Sequence, residues 1–324
     1  MSQLTRRTLL ASAAVMAGGA ALAQQAPAAR VKGPAVGLDL DQKALDDAYD
    51  QSVYAPNQRQ VTGRYVTNSE AVRKRIGAPK RLSYGATTIE GFDLYPAKKA
   101  HAPVHIFIHG GAWRRGLAKD YATPAEMFVN AGAHFAAVDF NNVDNMKGDL
   151  MPMAHQVRSA VAWIYNNAPS FGGDPNRIFV SGHSSGGHLA GVVLTTDWKQ
   201  DFNLPADVVK GGVCVSAMFD LKPVRLSARS SYIKFTDAME HALSSQRHID
   251  KLNCQVLVAY GTLETPEFQR QSRDFAAAAK AAGKQAELLV ANGYNHFEII
   301  GTLASPFGLL GRAALQQMKL PISG

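Results

Sequence analysis

Cysteine is scarce in this chain: the 324 residues include only two, Cys214 and Cys254, and their spacing matches no zinc-binding pattern. Both cysteines fall in or beside consecutive predicted strands, so they either pair in an oxidising compartment or stay reduced in the core. The sequence also lacks a dinucleotide fingerprint, a phosphate-binding P-loop and an internal repeat. We therefore expect a protein that works without a metal or a cofactor.

Long apolar runs are missing as well, since no segment reaches the roughly 18 consecutive apolar residues of a membrane span. The apolar stretch near the start is shorter, follows Arg6 and Arg7, and ends in Ala21-Leu22-Ala23. These features predict a Tat-type signal peptide over residues 1–23, with an uncleaved anchor as the alternative. We expect a flexible leader over 24–37 and a periplasmic or secreted protein, without stable membrane insertion after cleavage.

Clustered positive charge is absent, although the net charge is +8. Removal of the two arginines of the signal peptide leaves +6, and the densest basic run is Arg73-Lys74-Arg75. Because the other basic residues are scattered, we expect no nucleic-acid partner and only a mild attraction to anions. The apolar fraction of 46% suffices for one core, so residues 38–324 are predicted to form one domain.

The strongest positive signal is a Gly-His-Ser-Ser-Gly pentapeptide, which an apolar strand enters and a helix of small residues leaves. This strand–turn–helix setting is that of the G-x-S-x-G nucleophile elbow, with Ser184 as the nucleophile. Gly182 and Gly186 are the structural glycines that let the chain turn sharply without a Cβ clash. The alternative is a glycine-rich turn in which Ser184 only caps the helix.

A second glycine turn, His-Gly-Gly-Ala-Trp, follows an apolar strand upstream of the elbow. A turn of this type supplies a backbone N–H to an oxyanion hole, and the residue after the nucleophile supplies another. We expect the donors to be Gly111, Ala112 and Ser185, with His109 and Gly110 as structural supports; a tight turn without a catalytic role is the alternative. The candidate residues of a substrate pocket are Trp113, His183 and Phe219.

A general base is expected late in the chain, because enzymes with this elbow follow the order nucleophile, acid, histidine. His296 comes after a strand-like segment, 286–291, and a turn, where a loop-borne imidazole should emerge. His188 lies one helical turn after the nucleophile and is expected to pack in the core. His241 and His248 lie in an irregular polar stretch and are expected to be solvated. These positions predict His296 as the base.

The acid should follow the preceding strand, where two glutamates compete. Glu267 has another explanation, because Thr265 is a predicted N-cap, Pro266 fits the first helical position and Glu267 would complement the helix dipole. Glu264 lies in the loop before this cap and is predicted to orient the imidazole. Asp220, which follows an earlier strand, is the fallback acid.

Four segments of the chain resemble the esterase and kynurenine formamidase (arylformamidase) branch of the α/β-hydrolases. These segments are HGGAW at 109–113, FGGDPNRIFVSGHSSGGHLAG at 171–191, YGTLETPEFQRQS at 260–272 and NHF at 295–297. The H-G-G-x-W turn and the glutamate distinguish the chain from the hormone-sensitive-lipase-like carboxylesterases, which it otherwise resembles. The resemblance implies catalytic roles for Ser184, Glu264 and His296, and oxyanion roles for the three donors named above.

Predicted strands alternate with predicted helices, which indicates an α/β-hydrolase fold: a mostly parallel, doubly wound sheet with crossovers on both faces. The N-terminal segment, 38–80, and a cap-like insertion, 218–250, remain to form a small cap over the site. The predicted strands are 81–86, 90–95, 104–109, 133–139, 177–183, 210–216, 254–260 and 286–291. The predicted helices are 41–51, 69–76, 122–131, 151–167, 185–196, 266–282 and 304–318.

These residues predict a serine hydrolase that cleaves a small or aryl carboxylic ester through an acyl-enzyme. The nearest alternative is hydrolysis of an N-formyl or aryl amide by the same residues. Two more distant alternatives are a catalytically silent binding protein with this fold and a peptidase, which usually carries a separate gating domain. The partner we expect is a small-molecule ester or amide.

Overall fold

Ten strands and ten α-helices lie within residues 32–322, the part of the chain that the computed structural model describes. The strands are β1 (Ala35–Gly37), β2 (Leu40–Asp41), β3 (Lys80–Ser83), β4 (Gly91–Tyr95), β5 (Ala102–Ile108), β6 (His134–Val138), β7 (Gly173–His183), β8 (Val209–Val215), β9 (Gln255–Leu263) and β10 (Ala286–Asn295). The helices are α1 (Gln42–Ala48), α2 (Gln58–Ile76), α3 (Ala125–Asn130), α4 (Met151–Asn167), α5 (Ser185–Leu194), α6 (Trp198–Phe202), α7 (Leu221–Leu226), α8 (Asp237–Leu243), α9 (Pro266–Ala281) and α10 (Leu309–Gln317).

Eight of the strands form one sheet in the order β10-β9-β8-β7-β5-β6-β4-β3, and β1 pairs with β2 in a separate hairpin. The six strands from β5 to β10 run parallel, whereas β4 runs antiparallel to both of its neighbours, β6 and the edge strand β3. The register places Ile106 of β5 opposite Val180 of β7. This is the mostly parallel sheet that the alternation of strands and helices predicts.

Apolar cores lie on both faces of this sheet, because successive strand residues point to opposite sides. On β5, Ile106 and Ile108 join one core, whereas Phe107 between them joins the other. All seven residues of β5 are buried as a result. Side chains leave this buried layer at the C-terminal ends of the parallel strands, which is where sheets of this kind carry their sites.

The two predicted parts of the cap, 38–80 and 218–250, lie outside the eight-stranded sheet, apart from Lys80 at the start of β3. They contact each other directly, since Gln42 of α1 donates a 2.9 Å hydrogen bond to the carbonyl oxygen of Leu226 at the end of α7. The cap is thus one layer built from two parts of the chain that are distant in sequence.

Several boundaries differ from the prediction, and three of these differences are explained by local features of the sequence. Helix α2 begins at Gln58, eleven residues before the predicted start at 69. The prediction missed its first turns because they are polar, contain Gly63 and lack the apolar periodicity that indicates a helix. Residues Ala35–Gly37 form β1 and therefore do not belong to a flexible leader. The last helix begins at Leu309, after Pro306 interrupts the predicted helix.

Within residues 32–322, no helix combines the length and the apolar character that a bilayer crossing requires. The predicted signal peptide, with Arg6 and Arg7, lies outside the described residues. Its boundaries and its role in export stay predictions.

Two buried histidines stabilise the packing around β5 and α5. His105 shares a 2.7 Å hydrogen bond with Ser181 of β7 and stacks on Phe128 with 3.9 Å between ring centroids. His188 donates a 2.9 Å hydrogen bond to the carbonyl oxygen of Leu243. Burial lowers the pKa of His105 to about 3 and the pKa of His188 to about 4. Both imidazoles are therefore neutral in the folded protein at pH 7.

We expect the free energy of unfolding to fall between pH 7 and pH 5. The unfolded histidines take up protons near pH 6.5, whereas the folded imidazoles resist protonation until the pH approaches their lowered pKa values. Each of the two histidines should lower the free energy of unfolding by about 2 kcal/mol between pH 7 and pH 5. Urea titrations at both pH values measure the loss. The loss should shrink by about 2 kcal/mol in His105→Gln; an unchanged pH dependence in this variant would contradict the explanation.

Candidate active site

The elbow between β7 and α5 holds Ser184 in a strained conformation. Its φ of 58° and ψ of −123° are rare for a residue other than glycine. A Cβ on Gly182 would lie 2.1 Å from the carbonyl oxygen of Gly186, and one on Gly186 would lie 2.1 Å from that of Ile108. Neither position accepts a side chain, so the two glycines permit the sharp turn that places Ser184 at its apex.

Ser184, His296 and Glu264 form one chain of hydrogen bonds at the C-terminal ends of β7, β10 and β9. His296 Nε2 lies 3.0 Å from Ser184 Oγ, and His296 Nδ1 lies 2.9 Å from Glu264 Oε2. If Nδ1–H donates to the carboxylate, Nε2 accepts from the serine hydroxyl. The structure thus brings together the three residues that the sequence predicts as nucleophile, base and acid.

The Glu264 carboxylate is buried, with 1% of the residue exposed, and both of its oxygens are held. Oε1 accepts a 2.7 Å hydrogen bond from Ser216 Oγ and a 2.6 Å hydrogen bond from the N–H of Gly261. These hydrogen bonds satisfy an oxygen that burial removes from water. The sequence analysis did not identify Ser216 as a site residue. The signal available for it was its position directly after β8.

The N-terminal part of the cap braces the two loops that carry the acid and the imidazole. Gln51 exchanges two 3.1 Å hydrogen bonds with Thr265, the residue after the buried glutamate. Asn57 accepts a 2.8 Å hydrogen bond from Asn295, the residue before the imidazole. The partners are 214 and 238 residues apart in sequence. No local pattern could therefore identify Gln51 and Asn57.

His183 supports the imidazole loop from the elbow. Its Nε2–H donates a 2.7 Å hydrogen bond to the carbonyl oxygen of His296. Burial, together with the nearby His296, lowers the pKa of His183 well below its ordinary value. The ring therefore stays neutral and acts as a fixed hydrogen-bond donor.

Glu267 does more than complement the dipole of α9, which corrects its interpretation from the sequence. It is buried, accepts a 2.9 Å hydrogen bond from Tyr49 Oη and forms two 2.7 Å contacts with Arg270. Helix α9 does begin at Pro266 as predicted, but the Thr265 side chain bonds a carbonyl oxygen of the cap instead of capping the helix. Glu267 thus joins the cap to α9 and makes no contact with the imidazole.

The turn after β5 leaves backbone N–H groups free beside the elbow. Gly111 has a φ of 118°, and a Cβ there would lie 2.2 Å from the carbonyl oxygen of Arg115. Among the described residues, the N–H groups of Gly111 and Ala112 donate to no backbone or side-chain acceptor. Ser185 is the first residue of α5, where the N–H has no helical carbonyl partner. All three predicted oxyanion donors are therefore available to a ligand.

His109 and Gly110 lie behind this turn, as expected of structural supports. His109 stacks on Phe140 with 4.4 Å between ring centroids, and its Nδ1–H donates a 3.0 Å hydrogen bond to the Gly110 carbonyl oxygen. Burial lowers the pKa of His109, so its ring is neutral. A Cβ on Gly110 would lie 2.7 Å from the carbonyl oxygen of His183, which shows how closely the turn packs against the elbow.

A cavity of about 440 Å³ opens over the elbow and is lined by both parts of the cap. His183 lines it, but the other two candidate pocket residues do not. Trp113 is buried and donates a 3.1 Å hydrogen bond to His188 Nδ1. Phe219 is buried and stacks on Phe275 with 4.1 Å between ring centroids. Trp113 and Phe219 therefore belong to the core, and their prediction as pocket residues is wrong.

The fallback acid, Asp220, lies at the start of α7. It accepts a 3.1 Å hydrogen bond from the N–H of Lys222 and lies 3.4 Å from an Arg247 nitrogen. This is the role of a helix N-cap. It does not contact His296, so Glu264 is the acid that the geometry supports.

Cys214 and Cys254 are both free thiols in the structure. Burial raises the pKa of Cys254 to about 12 and raises that of Cys214 further, so both are protonated at neutral pH. The structure thus corresponds to the reduced alternative. In the described part of the chain, no three histidine, cysteine, aspartate or glutamate side chains are grouped so that they could hold a metal ion.

Comparison with solved structures identifies the class of this architecture. A crystal structure from Silicibacter sp. TM1040 matches with a TM-score of 0.72 and 24% identity, over 82% of this chain and 97% of that one. EstE1, a carboxylesterase cloned from a metagenomic library, matches with a TM-score of 0.62 and 20% identity, over 82% and 95%. The chain has the α/β-hydrolase fold, which confirms the fold predicted from the sequence.

Sequence comparison narrows this class. The BD-FAE family model matches residues 92–225. The kynurenine formamidase of Danio rerio is 29% identical over 244 residues, which cover 73% of this chain and 80% of that protein. The isoprenylcysteine alpha-carbonyl methylesterase ICME of Arabidopsis thaliana is 23% identical over 243 residues, which cover 68% and 56%. The chain is thus similar in sequence both to a formamidase and to a methylesterase, and these similarities support a hydrolase activity.

Proposed function

We propose that Ser184, His296 and Glu264 form a Ser-His-Glu triad that hydrolyses a carboxylic ester through an acyl-enzyme. The observation that carries this proposal is the hydrogen-bonded chain, with links of 3.0 and 2.9 Å, at the wall of a cavity large enough for a small ligand. The strained serine and the fixed carboxylate are the features of a preorganised nucleophile and its orienting acid.

Acylation begins when Ser184 Oγ attacks the ester carbonyl carbon. His296 Nε2 takes the hydroxyl proton, while Glu264 keeps Nδ1 protonated and stabilises the imidazolium. Negative charge develops on the carbonyl oxygen. The N–H groups of the glycine turn and of the first residue of α5 stabilise it by donating hydrogen bonds to this oxygen. Each such donor contributes about 3 kcal/mol to a transition state of this kind.

The intermediate then collapses as His296 returns the proton to the alcohol oxygen, the C–O bond breaks and the alcohol leaves. A water molecule gives a proton to His296 and attacks the acyl carbon of Ser184. Collapse of the second intermediate returns the proton to Ser184 Oγ and releases the carboxylic acid. These steps use the same groups twice, as two-step acyl transfer requires.

We propose a small or aryl ester as the substrate, with an N-formyl or aryl amide as the second candidate. The cavity of about 440 Å³ lies at the small end of ligand pockets, which favours a compact substrate. The similarity to a kynurenine formamidase over 73% of the chain favours the amide candidate. In that case the leaving group is an aryl amine, and His296 protonates its nitrogen.

A substrate panel tests this proposal. The panel contains p-nitrophenyl esters of increasing chain length, N-formylkynurenine and aryl anilides. We expect kcat/KM to be highest for short acyl or aryl esters. A higher value for N-formylkynurenine would favour the amide candidate, and hydrolysis of none of the compounds would contradict the proposal.

We also propose that the protein is exported by the Tat route to the periplasm. Arg6 and Arg7 are the only charged residues before the apolar run, as a twin-arginine address requires. The double variant Arg6→Lys, Arg7→Lys keeps the charge but removes the address, so it should accumulate in the cytoplasm as active, uncleaved precursor. N-terminal sequencing of wild-type periplasmic protein should begin near Gln24. Normal export of the double variant would contradict Tat transport.

A further inference from the structure

Arg229 belongs to the cap and lines the same cavity as the serine and the imidazole. Its Nη1 donates a 2.6 Å hydrogen bond to Tyr232 Oη, and its Nη2 donates a 2.9 Å hydrogen bond to the carbonyl oxygen of Tyr49. The guanidinium carbon also lies 6.0 Å from the centroid of the Trp113 ring. These contacts from separate parts of the chain fix the guanidinium in place before any ligand binds.

The charge of Arg229 is not compensated by an ion pair within the described residues. Two other arginines of the cap are compensated, because Arg225 and Arg247 lie 3.2 and 2.6 Å from carboxylate oxygens of Glu240. A guanidinium has five N–H donors, and Arg229 uses two of them on neutral oxygens. The remaining donors of this partly buried cation are available to a ligand.

The other charged residues that line the cavity neither form an ion pair with Arg229 nor provide a second fixed cation. Asp50 lines the cavity, but its carboxylate accepts a 2.9 Å hydrogen bond from the N–H of Ser52. Asp120 also lines the cavity and forms no ion pair with Arg229 in the described part of the chain. Arg115 lines the cavity as an exposed residue without the anchoring contacts that Arg229 has. Arg229 is therefore the preorganised cation of the site.

We infer that Arg229 binds a carboxylate on the substrate and that the preferred substrate is an anionic ester or amide. A carboxylate satisfies two guanidinium donors at once and neutralises the charge, which a neutral acyl or aryl group cannot do. This inference rests on the proposed function, because the same cavity has to hold the scissile bond next to Ser184. It makes Arg229 a specificity-determining residue that contacts the substrate.

The test compares 4-acetoxybenzoate with its methyl ester, an uncharged compound with the same aryl acetate bond. Release of acetate is measured for both, so that cleavage of the added methyl ester is not counted. The measured quantity is the ratio of kcat/KM for the acid to kcat/KM for the methyl ester at pH 7.5. We expect Arg229→Met to lower this ratio about 10- to 100-fold, chiefly through KM, and Arg229→Lys to lower it less. Because the ratio is compared between variants, the different intrinsic reactivity of the two esters cancels.

Arg114→Met is the matched control, because Arg114 lies 4.7 Å from the same Tyr232 ring and pairs with Asp144 but does not line the cavity. The ratio should be unchanged in this control. If Arg229→Met does not fold, Tyr232→Phe removes one anchor of the guanidinium and should lower the ratio a few-fold. An equal fall for both esters in every Arg229 variant would overturn the inference while the proposed function stands. If Ser184→Ala hydrolysed the two esters at the wild-type rate, both the inference and the proposed function would be overturned.

Discussion

Replacement of Ser184 with alanine is expected to lower kcat by at least about 10³-fold, while the protein stays folded. The side chain that attacks the carbonyl is lost, but the cavity, the oxyanion donors and the buried network around Glu264 remain. KM should change little, because the substrate-binding surface is unaltered. Steady-state kinetics with a p-nitrophenyl ester measures both constants, and circular dichroism verifies the fold.

Ser170→Ala is a suitable control for this variant. Ser170 is exposed and bonds only the carbonyl oxygen of Asn167, so its loss should leave kcat unchanged. If Ser184→Ala retained near-wild-type turnover, another residue would be the nucleophile. The elbow would then be a glycine-rich turn with a structural role.

The second large effect concerns the acid. Glu264→Gln keeps the shape of the side chain but can present an N–H to His296 Nδ1, which favours the wrong tautomer of the imidazole. We expect kcat to fall on the order of 10³- to 10⁴-fold as a result. The variant also pairs an amide with donors that now hold a buried carboxylate, so a lower melting temperature should accompany the kinetic loss.

Glu267→Gln provides the matched control, because both glutamates are buried and lie three residues apart. This variant weakens the contacts to Tyr49 and Arg270, so it should lower the stability by about 1–3 kcal/mol. Its kcat should stay close to that of the wild type. If the kinetic effects of the two variants were reversed, Glu267 would be the orienting acid; if neither affected kcat, no acid of this loop would be essential.

Local patterns in the sequence were sufficient to predict the three residues that the structure brings together at the elbow. Ser184 is identified by a motif that needs its flanking strand and helix, and these lie in adjacent sequence. Glu264 and His296 follow from the order of parallel strands, since the loops at one edge of such a sheet meet in space. The boundaries of α4, Met151–Asn167, were also predicted correctly, because a long apolar periodicity defines that helix.

Contacts between distant segments could not be predicted. Gln51, Asn57 and Arg229 belong to the cap, and each acts through partners that are far away in the sequence. Their polar side chains would be typical of a solvated surface, so composition and periodicity carry no signal for them. The roles of the cap, as a brace and as the source of a cavity cation, depend on its position in the folded protein.

The prediction of two aromatic side chains as pocket residues is wrong because their orientation also depends on contacts with distant segments. Trp113 lies in the glycine turn and Phe219 in the cap-like insertion, and both are predicted from the sequence to line a pocket. The structure shows that each points into the core, where Trp113 bonds His188 and Phe219 stacks on Phe275. Proximity in sequence fixes where a backbone turn lies but not the face to which a side chain points.

Labelling with a serine-directed organophosphonate tests the central claim most directly. The reagent requires a nucleophilic serine, a base and oxyanion donors at once, so it reports on the assembled site. Mass spectrometry should find one adduct per chain, on the peptide that contains Ser184, with complete loss of esterase activity. Loss of activity with an adduct on another residue, or full activity in a protein labelled at Ser184, would contradict the account.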